Sequence, residues 1–228
     1  GNPIRKEIAE LSKSTYQFPI VDEALAPIND CGYDVLLASQ FSDHKNKENN
    51  NSFNILVIGG SGVAKIFSEI LPKAFFNIRD ELKNHIKITQ QCREEYVQTT
   101  FDQYRAFNIN VMVSSFLRDM SEQLQKAHLV IARSGSSSIA ELTAAKRPMI
   151  LIPFALASDN HQEKNARFIE KMGGAIVIRE VELSINKITN CLENLIDNPT
   201  LLLKMSREAF ACANPDAADN LVKLITNQ

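Results

Sequence analysis

Two stretches of this chain concentrate groups able to hold a charged, hydroxyl-rich ligand. In the first, Ala132-Arg133-Ser134-Gly135-Ser136-Ser137-Ser138-Ile139-Ala140-Glu141, small hydroxyl residues follow an apolar strand and open a helix. Backbone N–H groups and hydroxyls are thereby gathered where the positive end of a helix would meet a diphosphate. Glu141 falls within the first helical turns, where an ionised carboxylate can accept hydrogen bonds from both hydroxyls of a ribose. A serine N-cap followed by an acidic first turn explains the same residues equally well. The second stretch, Pro153-Phe154-Ala155-Leu156-Ala157-Ser158-Asp159-Asn160-His161-Gln162, places amide, imidazole and carboxylate groups after another apolar strand. Such groups suit neutral sugars, although Asp159 could simply cap a helix. A third, weaker signal is Ile58-Gly59-Gly60-Ser61-Gly62, where glycines after a strand permit a tight turn and close approach to a phosphate, with Ser61 as an added donor.

These stretches need a scaffold that brings strand ends together. From Asn54 onward, short apolar runs at 54–58, 85–91, 109–114, 128–132, 148–152 and 175–178 alternate with helical patterns at 64–82, 93–106, 121–127, 138–145, 161–172, 185–196 and 201–211, with a last helix near the end. Continuous apolar strands separated by amphipathic helices predict an α/β fold with a parallel sheet covered on both faces, doubly wound and Rossmann-like. Ligands are then expected beyond the carboxyl ends of the strands, which is where the three stretches fall. Residues 1–53 read differently. After a short helical pattern around 3–11 the periodicity fades, and the polar run 40–52 has almost nothing to bury, so an irregular, partly mobile surface insertion is expected there.

Bulk properties narrow the function. The 228 residues are 44% hydrophobic and 23% charged, with a formal net charge of −2, so no electrostatic footprint for nucleic acid is present. No apolar run approaches the roughly 20 residues of a membrane-spanning helix, and any membrane contact is expected to be peripheral. The four cysteines are scattered and read as reduced thiols rather than a disulfide framework or zinc site. No Asp-x-Asp occurs, so a metal bridge to a nucleotide diphosphate has no candidate and no cofactor is expected. Gly1-Asn2-Pro3-Ile4-Arg5 resembles neither a signal peptide nor a natural start, and suggests a chain cut from something longer.

Five segments in order resemble motifs of the C-terminal domain of MurG-type glycosyltransferases. Gly1 to Arg5 is similar to GNPxR, Gly59-Gly60-Ser61 to the start of GGSQGA, and Phe116 to Met120 to F-[IL]-x-[DN]-M. Arg133 to Glu141 resembles RSGxxxxxE, and Asp159 to Ala166 resembles DxxQxxNA. The resemblance implies half of a GT-B glycosyltransferase, with UDP-N-acetylglucosamine (UDP-GlcNAc) held between two Rossmann-like domains. It divides the chain into an interdomain segment and insertion at 1–53 and a donor-binding domain at 54–228. Arg5 and the backbone of Leu117 would contact the uracil end, and Ser61 with Ser136, Ser137, Ser138 and Ile139 the diphosphate. Glu141 would bind the ribose, and Gln162 with His161 the sugar.

The family transfers N-acetylglucosamine to lipid I at the cytoplasmic face of the bacterial inner membrane, with inversion and without a metal cofactor. Its acceptor domain, expected to carry the general base, has no counterpart in these residues. Lipid I would be met through that missing or separate domain. Val63 stands where the family has glycine, and a β-branched residue does not readily take a positive φ. A non-catalytic or decayed UDP-sugar binder is therefore the alternative. A sugar-nucleotide epimerase fits less well, because Arg133 occupies a position that is acidic in that family.

Overall fold

The computed structural model describes residues 4–16, 52–59, 65–155, 157, 160–217 and 226. Six parallel strands run in the order β3-β2-β1-β4-β5-β6: β1 Phe53–Ile58, β2 Ile86–Gln91, β3 Asn110–Ser114, β4 Leu129–Ala132, β5 Met149–Leu151 and β6 Ala175–Val177. Nine α-helices are described: α1 Lys6–Leu11, α2 Lys65–Phe76, α3 Asp80–Lys83, α4 Glu94–Ala106, α5 Met120–Lys126, α6 Ser136–Ala144, α7 His161–Lys171, α8 Ile185–Asp197 and α9 Pro199–Ala211. The expected doubly wound α/β fold is what the sheet shows. The pattern expected at 64–82 as one helix is two, α2 and α3, separated at residues 77–79. There the extended Arg79 donates its backbone N–H to Glu193 Oε1 of α8 at 2.8 Å. The polar run at 40–52, apart from Ser52, and most of the expected last helix lie outside the described residues.

The period-2 alternation of strands divides the core into two layers. Ile55, Val57, Leu129, Ile131, Ile150 and Ile152 face one side with Phe67, Leu71 and Phe75 of α2, Tyr104 of α4, and Ile188 and Leu192 of α8. Leu56, Ile58, Val130, Ala132, Met149 and Leu151 face the other, with Ile8 and Leu11 of α1, Leu124 of α5, Leu142 of α6 and Ile169 of α7. Cover is uneven at the β3 edge. Lys87 and Met112 are exposed, because Ile86-Lys87-Ile88-Thr89 and Asn110-Val111-Met112 alternate where the central strands are continuously apolar.

Three helices return to the sheet by the same device. After α4, α6 and α7, a residue of positive φ (Asn108, Lys146, Gly173) lets two successive N–H groups fold back onto carbonyls of the last turn. For α7 these are Gly173 N to Glu170 O at 2.8 Å and Gly174 N to Ile169 O at 3.0 Å, the Schellman pattern. The chain then enters the amino end of β3, β5 or β6 directly, and the parallel register leaves the carboxyl ends of the strands level.

Segment 4–16 crosses the α5–α6 face and is pinned at the opposite end of the sheet. Tyr16 Oη donates to His128 O at 2.6 Å, and Lys146 Nζ to Ser14 O at 2.6 Å. Arg147, 2% exposed, lies under the Tyr16 ring and donates to Ala145 O at 2.5 Å and Ala127 O at 2.8 Å. Those carbonyls close the ends of α6 and α5, so the buried cation meets the negative ends of two helix dipoles. Burial still pulls its pKa down to about 10. Beside it, His128 accepts the Asn54 N–H on Nδ1 at 2.8 Å.

Burial, then the nearby Arg147 cation, lower the His128 pKa to about 4. The unfolded chain therefore binds a proton below pH ~6.5 that the folded chain refuses. Stability is complete above that value and falls as pH drops toward 4, by roughly 3 kcal/mol from this residue. Urea unfolding of wild type and His128→Asn between pH 4 and 7 should show a steeper loss for wild type, and parallel curves would contradict the assignment.

Candidate functional site

The order of strands reverses at β1, which pairs with β2 on one side and β4 on the other. The helices that follow β1 and β4 pack on opposite faces of the sheet, α2 on one and α6 on the other, the arrangement that gives parallel sheets a crevice for ligands. Gly59, the residue after β1, is buried, whereas Ser61 and Val63 lie outside the described residues. The β4 side is described in full.

Ser134 is fully buried and joins two helix starts. Its Oγ donates to the Gln162 carbonyl at 2.8 Å, and its own carbonyl accepts from Asn165 Nδ2 at 3.3 Å. The first turns of α6 and α7 are thus stitched side by side above β4 and β5. Helix α6 begins at Ser136 with Gly135 as N-cap, two residues earlier than expected. Gly135 has no side chain with which to cap, and the first intrahelical bond is Ile139 N to Gly135 O at 3.0 Å. The N–H groups of Ser136, Ser137 and Ser138 therefore have neither an intrahelical partner nor a side-chain cap. No acidic side chain occupies this first turn. The arrangement is a positive helix end lined by three hydroxyls.

Glu141 follows one turn further on. Its carboxylate is gripped by Arg5, with Nε donating to Oε1 and Nη2 to Oε2, both at 2.7 Å. These hydrogen bonds raise the Arg5 pKa against the opposing effect of burial. A carboxylate has about four acceptor sites and the fork uses two, so one on each oxygen remains for a pair of hydroxyls. Arg5 therefore orients Glu141 without exhausting it.

Gln162 sits in the first turn of α7, and its Oε1 accepts the Phe154 N–H at 3.0 Å. What it can offer a ligand is its NH₂. His161, the first residue of α7, is exposed, and Asn160 before it adopts a left-handed conformation with φ 52°. Asp159 lies outside the described residues. Leu117 has its side chain buried in the α1–α5 layer, so only its backbone is available for contact. The preceding turn is closed by Ser114 Oγ, which donates to Phe116 O at 2.8 Å.

The structure therefore brings Arg5 onto Glu141 and Ser136–Ser138 onto one helix end, with Gln162 on the adjoining helix. Sequence reasoning missed the Arg5–Glu141 pair, whose partners are 136 residues apart. It named Arg133 as part of a motif and as an argument against an epimerase but gave its side chain no role; that side chain is buried behind the site. Among the described residues no cluster of His, Cys, Asp or Glu could hold a metal ion, and no helix is long and apolar enough to cross a membrane. Cys92, Cys191 and Cys212 are free thiols. A groove of about 270 Å³ between α6, α7 and the end of α9 meets the site at Ser136 and Asn165 but includes neither Glu141 nor Gln162.

Residues 54–221 match the glycosyltransferase family 28 C-terminal domain. A UDP-N-acetylglucosamine–N-acetylmuramyl-(pentapeptide) pyrophosphoryl-undecaprenol N-acetylglucosamine transferase of Caulobacter vibrioides is 40% identical over 171 residues, 75% of this chain and 47% of the relative. The Rhodospirillum centenum transferase of the same name is 32% identical over 225 residues, 99% of this chain and 52% of the relative. The crystal structure of Acinetobacter baumannii MurG superposes with a TM-score of 0.72 at 28% identity, covering 81% of this chain and 55% of that one. WaaG, a glycosyltransferase involved in lipopolysaccharide biosynthesis, shares the fold at a TM-score of 0.54 and 16% identity, over 70% of this chain and 42% of its own. This chain spans about half the length of the curated relatives it matches. With the doubly wound sheet and the open end of α6 already described, the match places this chain in glycosyltransferase family 28 as its C-terminal domain.

Proposed function

We propose that this chain is the UDP-GlcNAc-binding half of an inverting transferase that moves N-acetylglucosamine to lipid I, giving lipid II for peptidoglycan. The observation that carries the reading is the α6 start, where three uncapped N–H groups precede a carboxylate already oriented by Arg5. A nucleoside diphosphate presents the same sequence of groups, two phosphates followed by a ribose diol. The names of the relatives supply the sugar and the acceptor.

In this reading the diphosphate rests on the N–H groups and hydroxyls of Ser136–Ser138, joined by Ile139 and by Ser61 from the β1 loop. Glu141 accepts both ribose hydroxyls while keeping Arg5, which with the Leu117 backbone borders the uracil. Gln162 and His161 reach the sugar. When the acceptor hydroxyl attacks the anomeric carbon, the departing UDP gains negative charge, and a preorganised helix end stabilises that charge without reorganising. The general base would come from an acceptor domain, as would the contact with the cytoplasmic face of the bacterial inner membrane. Residues 1–53 would provide the interdomain connection and an insertion, and 54–228 the donor domain.

Titration calorimetry of the chain with UDP-GlcNAc, UDP and GDP-mannose should show binding that requires uracil. Glu141→Ala should weaken it about 10- to 100-fold, as expected for losing hydrogen bonds to a charged group. Unchanged affinity in that variant would remove Glu141 from the site. Turnover of lipid I on adding a family N-terminal half would separate a transferase from a passive binder.

Gly135 provides an independent check. A Cβ added there would meet nothing nearer than Ser138 Oγ at 3.9 Å, and its φ of −61° suits any residue. Gly135→Ala should keep the wild-type Tm yet bind UDP and UDP-GlcNAc at least tenfold more weakly, because the methyl group crowds the approaching diphosphate. Equal affinity would place the phosphates elsewhere.

A further inference from the structure

We infer that Arg133 and Glu180 are positioning residues that set how the Gln162 amide meets the hexose of the donor. The inference rests on the donor-half reading above. Arg133 leaves the end of β4 but does not enter the crevice. It is 6% exposed, and its guanidinium lies between the rings of Phe67 and Phe154, at 5.1 and 5.3 Å from their centroids. From there Nη1 donates to Ile152 O at 3.0 Å, Pro153 O at 3.1 Å and Glu180 Oε2 at 2.7 Å. Glu180 Oε2 also accepts the Ala155 N–H at 3.4 Å. Between these anchored peptides, the Phe154 N–H points at Gln162 Oε1.

The turn after β5 is thus held on both sides, by Arg133 through its carbonyls and by Glu180 through an N–H. The remaining N–H is the one that fixes Gln162. An apolar side chain at position 133 would fill the space at less desolvation cost, since buried ion pairs contribute little to stability over well-packed hydrophobic residues. What arginine adds is direction: two carbonyls and a carboxylate are fixed by one planar group. With its oxygen engaged by Phe154, Gln162 presents NH₂ as a donor, suited to a hydroxyl or N-acetyl oxygen of the sugar. If the turn slackens, the amide can rotate and offer the wrong group. Arg133 and Glu180 thereby act on the sugar and not on the nucleotide.

Two measurements test this, using Glu180→Ala and the milder Glu180→Gln in the full chain, which avoids emptying the buried Arg133 position. Without ligand, hydrogen exchange at the Phe154 amide should quicken at least tenfold in Glu180→Ala, with partial recovery in Glu180→Gln and no change in the amides of β4. With ligand, the gain in affinity of UDP-GlcNAc over UDP should disappear in Glu180→Ala. In a Gln162→Ala background the Glu180 substitution should reduce that gain no further. A purely structural role would weaken UDP and UDP-GlcNAc alike, and that result, or an unchanged Phe154 exchange rate, overturns the inference. It is also overturned if wild type binds UDP-GlcNAc no tighter than UDP. If wild type binds neither ligand, the donor-half reading fails, while Phe154 exchange still decides whether Glu180 holds the turn.

Discussion

Strand β1 pairs in parallel along both of its edges, with β2 on one side and β4 on the other. A parallel strand must be reached by a crossover, so the helices after β1 and β4 leave in opposite directions. The space between their starting turns cannot be filled by either connection. The groups proposed to hold the donor border that gap or adjoin it. The Schellman ends of α4, α6 and α7 return the chain to the amino ends of β3, β5 and β6, and the parallel register brings the carboxyl ends into line. Once the strand ends are level, the starts of α6 and α7 stand side by side and Ser134 can bridge them.

The site then follows from polar groups that cannot be left unpaired. Ser134 is buried, so its hydroxyl and carbonyl must find partners, and those partners are in α7. Gly135 leaves the N–H groups of Ser136–Ser138 uncapped, where a charged ligand could take them. Glu141 would be a freely rotating carboxylate without the fork of Arg5, which arrives from the segment preceding α1. That segment is anchored far from the site, through Tyr16 and Ser14 at the other end of the sheet. The precision of Glu141 therefore depends on contacts at both ends of the domain.

Much of this was legible in the sequence, and the reasons are specific. The six strands were found because β1, β4 and β5 are buried on both faces and read as unbroken apolar runs between turn residues. Strands β2 and β3 were weaker, since Ile86-Lys87-Ile88 alternates as a half-exposed strand does. The run Ser136-Ser137-Ser138 marked a helix start but not its first residue, because any serine can serve as N-cap while Gly135 takes that place. The break between α2 and α3 escaped because it is fixed by Glu193, over a hundred residues away. Arg5 on Glu141, Arg133 on the β5 turn and Arg147 on two helix ends share that feature. Each arginine acts through carbonyls or carboxylates that only the folded chain brings near, and no local pattern announces them.

The central claim is that the open start of α6, with Glu141 behind it, is where a nucleoside diphosphate sugar binds. A titration of the ¹⁵N-labelled chain with UDP-GlcNAc, followed by amide NMR, tests it residue by residue. The account predicts that the largest shifts fall on Ser136, Ser137, Ser138 and Glu141, with the Gln162 side-chain amide moving in step. Shifts centred on the groove near Phe168 and Cys212, with the α6 start unmoved, would contradict it.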